Sequence, residues 1–236
     1  MAGERMHSGE EKGGYPFREI PREGEYSKKH IKRLSEYPGK IVREEPLYFK
    51  GVEEVADYRL SKEFFDRLRT TYDISVPDIN LVLGRNDKGQ DRMLMVVDKI
   101  EGQSIEESRL LPAEAKEKFD SFYASLFSSI LDDYRANRFF FSDVDNSQFV
   151  YGRKQGDSED SVYLVDVEPK SIASIDLLVS MKGGGPGHIF HDLIGLCGKT
   201  LSDVEKKFSP PQKPWKARSK FEEMRSYAEE LLDAEG

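Results

Sequence analysis

The chain of 236 residues is 37% hydrophobic and 34% charged, and its formal net charge is -8. Its length suffices for one large domain or for two small lobes that share a cleft. The acidic balance argues against a nucleic-acid partner, and no apolar run is long enough to span a membrane. Residues 1–14 contain no apolar segment of the kind found in a signal peptide, and we expect a disordered tail there.

Cys197 is the only cysteine of the chain, so an internal disulfide is excluded. A protein without disulfides fits a reducing compartment, and we therefore expect a cytoplasmic location.

The first part of the chain, up to residue 101, is predicted to consist mostly of strands. One helix is expected among them at residues 52–72, because its apolar residues fall near one helical face. The strands are expected as a pair of short strands within residues 20–34 and then at residues 40–43, 79–83 and 92–100. The last two strands flank a turn-forming segment and predict a β-hairpin.

The second part of the chain is predicted to be mainly helical. An irregular stretch at residues 101–104 precedes a long helix at residues 112–137, whose apolar residues recur at three- and four-residue steps. Further helices are expected at residues 188–197 and 221–232. We therefore predict an α+β fold, in which residues 15–101 form a lobe with a small antiparallel sheet and one helix. Residues 102–236 are predicted to form a mainly helical lobe.

Two aspartates near the middle of the chain are the main candidates for a functional site. Asp143 follows the apolar residues 139–141 in a strand-like run that continues to Tyr151, and Asp166 ends a second apolar run that starts at Val162. The polar residues 152–160 between the runs have the composition of a hairpin tip, which would bring both carboxylates to one end. Close carboxylates suit a divalent cation, most naturally Mg²⁺. A single aspartate at a strand end is usually only a turn residue.

In this order of elements the chain resembles the protein-kinase-like fold, especially small atypical bacterial kinases and aminoglycoside phosphotransferases. The resemblance covers roughly residues 20–169 and implies a two-lobed structure. Asp143 stands at the position of the catalytic aspartate, and Gln148, five residues later, at that of a metal-binding asparagine. Asp166 stands at the position of the magnesium-binding aspartate.

The resemblance also implies a nucleotide site in the part of the chain before residue 103. The adenine would bind backbone groups of the hinge near Asp98, Lys99 and Ile100. Gly24 is the one glycine kept in the phosphate loop, and the 52–72 helix offers Glu54 or, with better spacing, Glu63 as the partner of the third-strand cation. That cation is expected to be Arg43, or Lys40 if the register of the strand differs.

Two replacements separate the chain from the family pattern. Arg43 stands where the family has lysine, and an arginine is longer and forked. Gln148 replaces asparagine and displaces the amide by one methylene, so Asn146 is an alternative ligand if the loop is remodelled.

The resemblance implies an ATP- and Mg²⁺-dependent phosphotransferase that binds a nucleotide and acts on a hydroxyl acceptor, either a small molecule or a protein. Asp143 would orient the acceptor, Asp166 and Gln148 would hold Mg²⁺, and Arg43 would contact the phosphates. The first alternative is a catalytically impaired pseudokinase that serves as a binding module. The second is a metal-dependent nuclease, suggested by the Glu168-Pro169-Lys170 segment after Asp166.

Overall fold

The computed structural model describes residues 25–26, 31–33, 39–46, 51–85, 91–167, 171–208 and 215–235. For residues 25–26, 31–33, 42–46, 51–59, 81–85 and 91–94 the description covers the backbone only. The tail predicted for residues 1–14 and the predicted phosphate-loop residue Gly24 lie outside the described residues.

The chain divides into two compact units, of which the first comprises Met1–Glu54 and Ile79–Val97. Its described strands are β1 (Glu25–Tyr26), β2 (Ile31–Arg33), β3 (Lys40–Pro46), β4 (Ile79–Arg85) and β5 (Asp91–Asp98), the last ending one residue beyond the unit. They form one sheet in the order β1-β2-β3-β5-β4. The β4–β5 pair is antiparallel, with Ile79 opposite Val97 and Arg85 opposite Asp91, so the predicted hairpin is confirmed.

The second unit comprises Val55–Asp78 and Asp98–Gly236 and is mainly helical. Its helices are α1 (Gly51–Tyr72, which begins in the first unit), α2 (Lys116–Arg135), α3 (Ile175–Lys182), α4 (Pro186–Glu205) and α5 (Lys216–Glu235). Its strands are β6 (Ile100–Ser104), β7 (Phe140–Phe141), β8 (Phe149–Lys154), β9 (Ser161–Leu164) and β10 (Ile172–Ala173). The predicted α+β class, with small antiparallel sheets and a mainly helical second part, is confirmed.

The bounds of the two units differ from those of the predicted lobes. Most of α1 belongs to the same unit as the helices after residue 98, whereas the sequence placed it in the lobe of residues 15–101. The division into lobes at residue 101 therefore stays a prediction.

Helix α2 forms the centre of the second unit, and it packs against α5, which in turn packs against α4. Its apolar positions include Phe119, Tyr123, Leu126 and Ile130, all fully buried. The three- and four-residue spacing seen in the sequence therefore identified the buried face of this helix.

The segment of residues 101–104 was expected to interrupt regular structure, and that expectation is wrong. It belongs to β6, which pairs with β8 in a three-stranded sheet of order β6-β8-β9. Gly102 lies opposite Gly152 in this pair. A Cβ atom added to Gly102 would stand 2.2 Å from the carbonyl oxygen of Tyr151, so the strands approach this closely only because both positions are glycine.

One of the two strands predicted for the aspartate hairpin also differs from the prediction. Strands β8 and β9 form the hairpin around the polar tip, so residues 149–151 of the first predicted run belong to it, whereas residues 139–143 do not. Phe140 and Phe141 form β7, which pairs with β10 further along the chain. Asp143 therefore lies in the connection between two different sheets.

Candidate functional site

Asp143 is half-buried in the connection that leads from β7 to β8. The connection turns through a short 3₁₀ helix, Asn146–Gln148, whose N-cap is Asp145. This turn carries Gln148 back toward the start of the loop, where its Nε2 donates a hydrogen bond of 2.9 Å to Oδ2 of Asp143. Two residues that the sequence placed in one site are therefore in direct contact.

Asp166 is half-buried two residues after the end of β9. The β8–β9 register sets Phe149 opposite Leu164. The pairing continues one step further, since the backbone N–H of Val165 donates to the carbonyl oxygen of Gln148 over 2.9 Å. Asp166 therefore follows Val165, which is hydrogen-bonded to Gln148. Gln148 is in turn hydrogen-bonded to Asp143.

Ser171 joins the two aspartate segments from the other side. Its side chain is completely buried, and its Oγ donates a 2.7 Å hydrogen bond to Oδ2 of Asp166. Its carbonyl oxygen accepts a 2.9 Å hydrogen bond from the backbone N–H of Ser142, the neighbour of Asp143. Ser171 was not predicted as a site residue, because a single serine five residues after Asp166 has no distinguishing sequence pattern.

These bonds form a closed ring that runs through residues 142–143, Gln148, residues 165–166 and Ser171. A ring of this kind fixes the positions of both aspartates through backbone and side-chain bonds. The ring therefore links the segments that carry the two carboxylates to each other.

Asn146 points away from this ring and into the protein interior. Its Oδ1 accepts a 2.7 Å hydrogen bond from the hydroxyl of Tyr123, and its Nδ2 donates to the carbonyl oxygen of Thr200 over 3.2 Å. The hydroxyl of Thr200 donates to the carbonyl oxygen of Val144 over 2.7 Å. Both ends of the Asn146 amide are used in the core, so the alternative that it replaces Gln148 as a metal ligand is wrong.

Asp145 is an exposed residue of the same loop that the sequence analysis did not single out. Its Oδ1 accepts a 2.8 Å hydrogen bond from the backbone N–H of Ser147. This backbone bond, a side-chain bond to Ser147 and the positive charge of Lys199 lower the pKa of the Asp145 carboxyl below its usual value. The ionised carboxylate therefore stabilises the turn that returns Gln148 to Asp143.

The three hinge residues lie at the junction of β5 and β6. Asp98 is buried, its backbone N–H donates to the carbonyl oxygen of Asp78, and its Oδ2 accepts from the N–H of Asp78, each over 3.2 Å. The Nζ of Lys99 lies 3.3 Å from Oε1 of Glu101, and Ile100 is the first residue of β6. The N–H of Asp98 is thus already bonded, and its contact with an adenine stays a prediction.

The structure leaves the other nucleotide contacts untested. Arg43 lies in β3 opposite Ile31, and only its backbone is described. Glu63 is exposed on α1 and borders an open pocket of about 890 Å³ within the second unit. Its pairing with Arg43 stays a prediction.

Other candidate ligands for a metal are few in the described part of the chain. The described residues contain no group of three or more histidine, cysteine, aspartate or glutamate side chains that could hold a metal ion. His188 and His191 are both exposed on α4. The nuclease motif at residues 168–170 lies outside the described residues.

Comparison of the structure with solved structures gives two kinds of similar protein. One is the kinase domain of PknI from Mycobacterium tuberculosis, as a double mutant, with 10% identity and a TM-score of 0.35 over 84% of this chain and 89% of that chain. The other is aminoglycoside 2'-phosphotransferase-IIIa in its GDP complex, with 12% identity and a TM-score of 0.37 over 86% of this chain and 87% of that chain. A mutant of the latter, also with GDP, gives the same identity and TM-score.

These neighbours are a protein kinase domain and an aminoglycoside phosphotransferase, the two classes that the sequence motifs resemble. No protein-family model matches the chain, and no curated protein matches it. Within the described residues, no helix has the length and apolar character required to cross a membrane.

Proposed function

We propose that the chain is a phosphotransferase that uses ATP and Mg²⁺ and acts on a hydroxyl acceptor. The observation that supports this proposal is the hydrogen-bonded ring that holds Asp143, Gln148 and Asp166 together. Phosphoryl transfer demands little covalent chemistry from a protein, and it depends on positioned carboxylates, a metal ion and cations near the phosphates. A rigid support for two aspartates supplies the first of these requirements.

Asp143 is proposed to accept a hydrogen bond from the acceptor hydroxyl and to take up its proton during transfer. Its Oδ2 is held by the amide of Gln148. A hydrogen bond to one carboxylate oxygen restricts the rotation of the side chain. Gln148 therefore holds the Asp143 carboxylate in one direction.

Asp166 is proposed to hold Mg²⁺, which would neutralise charge on the nucleotide phosphates when it is bound. Proteins bind Mg²⁺ with one or two carboxylates and leave the remaining positions to water and phosphate oxygens. Ser171 occupies one oxygen of Asp166 as a hydrogen-bond donor and orients the carboxylate. Gln148 uses its Nε2 for the bond to Asp143, and its amide oxygen is proposed as the second protein ligand.

The nucleotide contacts are proposed by resemblance. Arg43 would contact the α- and β-phosphates, with Glu63 as its partner. The backbone at Lys99 and Ile100, next to Asp98, would bind the adenine, and Gly24 would lie near the phosphates.

A pseudokinase is the second candidate, and the same hydrogen bond between Gln148 and Asp143 favours it. A carboxylate that is held by an amide within the protein is less available to an acceptor hydroxyl. Nucleotide binding without turnover would identify this case.

Calorimetric titration with ATP and Mg²⁺, followed by assays of phosphate release and acceptor phosphorylation, tests both proposals. Asp166→Ala should lose the nucleotide binding that depends on Mg²⁺. Asp143→Ala should bind nucleotide nearly as the wild type does but lose transfer, because it contacts the acceptor. Asp192→Ala, on the exposed face of α4, serves as the control and should resemble the wild type. Equal binding by all four proteins would contradict the site assignment.

A further inference from the structure

The pocket beside α1 is lined by apolar residues that have no role in the proposed phosphotransfer. It is open, has a volume of about 890 Å³, and lies between α1, α3 and the segments around β7 and β10. All of its lining residues belong to the second unit. Its volume falls within the range of pockets that bind small organic molecules.

The walls of this pocket are apolar and exposed to solvent. Leu60 is 51% exposed, Phe139 49%, Leu177 46% and Met181 73%, and all four line the pocket. The described residues contain only two further large hydrophobic side chains that are exposed, Leu110 and Leu196. Exposed apolar side chains are unremarkable when scattered, but a cluster of this kind marks a binding surface.

Two arginines line one part of the pocket, Arg67 and Arg138. Arg67 donates two hydrogen bonds of 2.7 Å to the two carboxylate oxygens of Asp133, whose side chain is fully buried. The Nε of Arg138 lies 3.5 Å from Oδ1 of the same carboxylate, and its side chain is 54% exposed. Both oxygens of Asp133 are held by Arg67 at shorter distances, so Arg138 is the group that can turn toward a ligand.

Glu63 lines the same pocket and limits where an anion can lie. It stands one helical turn before Arg67 on α1, and its carboxylate repels a bound anion. Glu63 therefore offsets part of the positive charge of the arginines, and an anionic head can be held only by direct pairing with Arg138, while the apolar part of the ligand contacts Leu177 and Met181.

We propose that this pocket binds an apolar carboxylate, a molecule with a hydrocarbon chain or ring and a single anionic head. The apolar part contacts Leu60, Phe139, Leu177 and Met181, and the carboxylate pairs with Arg138. Ser142 also lines the pocket and directly precedes Asp143, so a bound ligand touches the segment that positions the proposed catalytic residue. This binding does not depend on phosphotransfer activity.

Calorimetric titration of the full chain with decanoate, below its micelle-forming concentration, tests the proposal. Decyltrimethylammonium has a similar chain with a cationic head, and it should bind at least about tenfold more weakly. Leu177→Asp should weaken decanoate binding more than about tenfold, because it places a charge on the apolar wall. Leu196→Asp is the matched control, since Leu196 lies on α4 and is 49% exposed against 46% for Leu177.

A second pair of variants tests the charged head. Arg138→Gln should weaken decanoate binding about fivefold, which corresponds to about 1 kcal/mol for a partly exposed ion pair. Arg153→Gln should leave it unchanged, and Arg153 has the same 54% exposure and a comparable aspartate contact, 3.3 Å from Asp160. Thermal melting of each variant checks that it is folded.

Failure to bind decanoate, equal loss in Leu177→Asp and Leu196→Asp, or equal affinity for decyltrimethylammonium would overturn the proposal. A wild type that sediments as a dimer, together with a monomeric Leu177→Asp variant and no decanoate binding, would assign the surface to a second copy of the chain instead. None of these outcomes bears on ATP binding, so they are distinct from failure of the proposed phosphotransfer.

Discussion

The side-chain amide of Gln148 donates a hydrogen bond of 2.9 Å to Oδ2 of Asp143. The extra methylene of glutamine relative to asparagine lengthens the reach of this amide. Gln148 is one of the two residues that differ from the pattern of the resembled family, and it is also the residue that holds the proposed catalytic carboxylate.

Gln148→Asn restores the residue type of the family but shortens the side chain by one methylene, so we expect it to lose the bond to Asp143. A hydrogen bond to a charged group contributes about 1.5–3 kcal/mol, which corresponds to a fall in kcat of about tenfold or more. The amide oxygen is kept, and the Kd for ATP with Mg²⁺ should change less than about twofold. Steady-state kinetics and calorimetry measure the two quantities.

Gln155→Asn is the control for this change, because Gln155 is exposed at the tip of the β8–β9 hairpin. A Gln148→Asn enzyme with unchanged kcat would mean that the hydrogen bond does not position Asp143.

Arg43 provides a test of the nucleotide side of the proposed site. If it occupies the position of the third-strand lysine, Arg43→Lys should preserve or improve binding of ATP with Mg²⁺. Arg43→Ala should weaken this binding about tenfold, because a charged contact to phosphate is lost. Calorimetric titration gives both affinities, and equal affinities in the three proteins would assign the phosphate contact to another residue.

Gly152 provides a test of the close contact between strands β6 and β8. A Cβ atom there would stand 2.3 Å from the carbonyl oxygen of Glu101, a contact that only movement of the backbone can relieve. We expect Gly152→Ala to lower the free energy of unfolding by roughly 3 kcal/mol, at the upper end of overpacking effects. Denaturant titration measures this change.

Gly195→Ala is the matched control, because a Cβ atom added at this position of α4 meets nothing within 4 Å. Alanine is the better helix former, so the variant should gain up to about 1 kcal/mol. Similar effects of the two substitutions would show that the β6–β8 contact is not as close as described.

Asp145 provides a test through the pH dependence of stability. Its pKa is lowered in the folded protein, so its ionised form contributes stability above the unfolded pKa, and that contribution is lost as the pH falls through the folded pKa. Asp145→Asn keeps an N-cap acceptor but removes the charge. The wild type should melt at a higher temperature than the variant at about pH 6, and the difference should shrink as the pH falls below about 4, the ordinary pKa of an aspartate.

Differential scanning calorimetry of the two proteins at several pH values measures this difference. A constant difference across the range would mean that the charge of Asp145 does not contribute to the stability of the loop.

The sequence predicted the elements whose signals are local. The extent of α1 and the buried face of α2 follow from apolar periodicity, and the β4–β5 hairpin follows from two apolar runs around a turn. The two candidate aspartates were also found in the sequence, because each follows an apolar run. Periodicity of this kind reflects which side of an element contacts the core, and neighbouring residues are sufficient to express it.

Only the tertiary structure decided how these elements are paired and which polar side chains meet. The pairing of β7 with β10 rather than β9 joins segments about thirty residues apart, and short strands contain no local signal for their partner. Ser171 reaches Asp166 because that pairing places it beside Ser142, and Asn146 points inward because Tyr123 and Thr200 bond both ends of its amide. Such contacts depend on the direction of single side chains in the folded chain, which the sequence pattern of a loop does not specify.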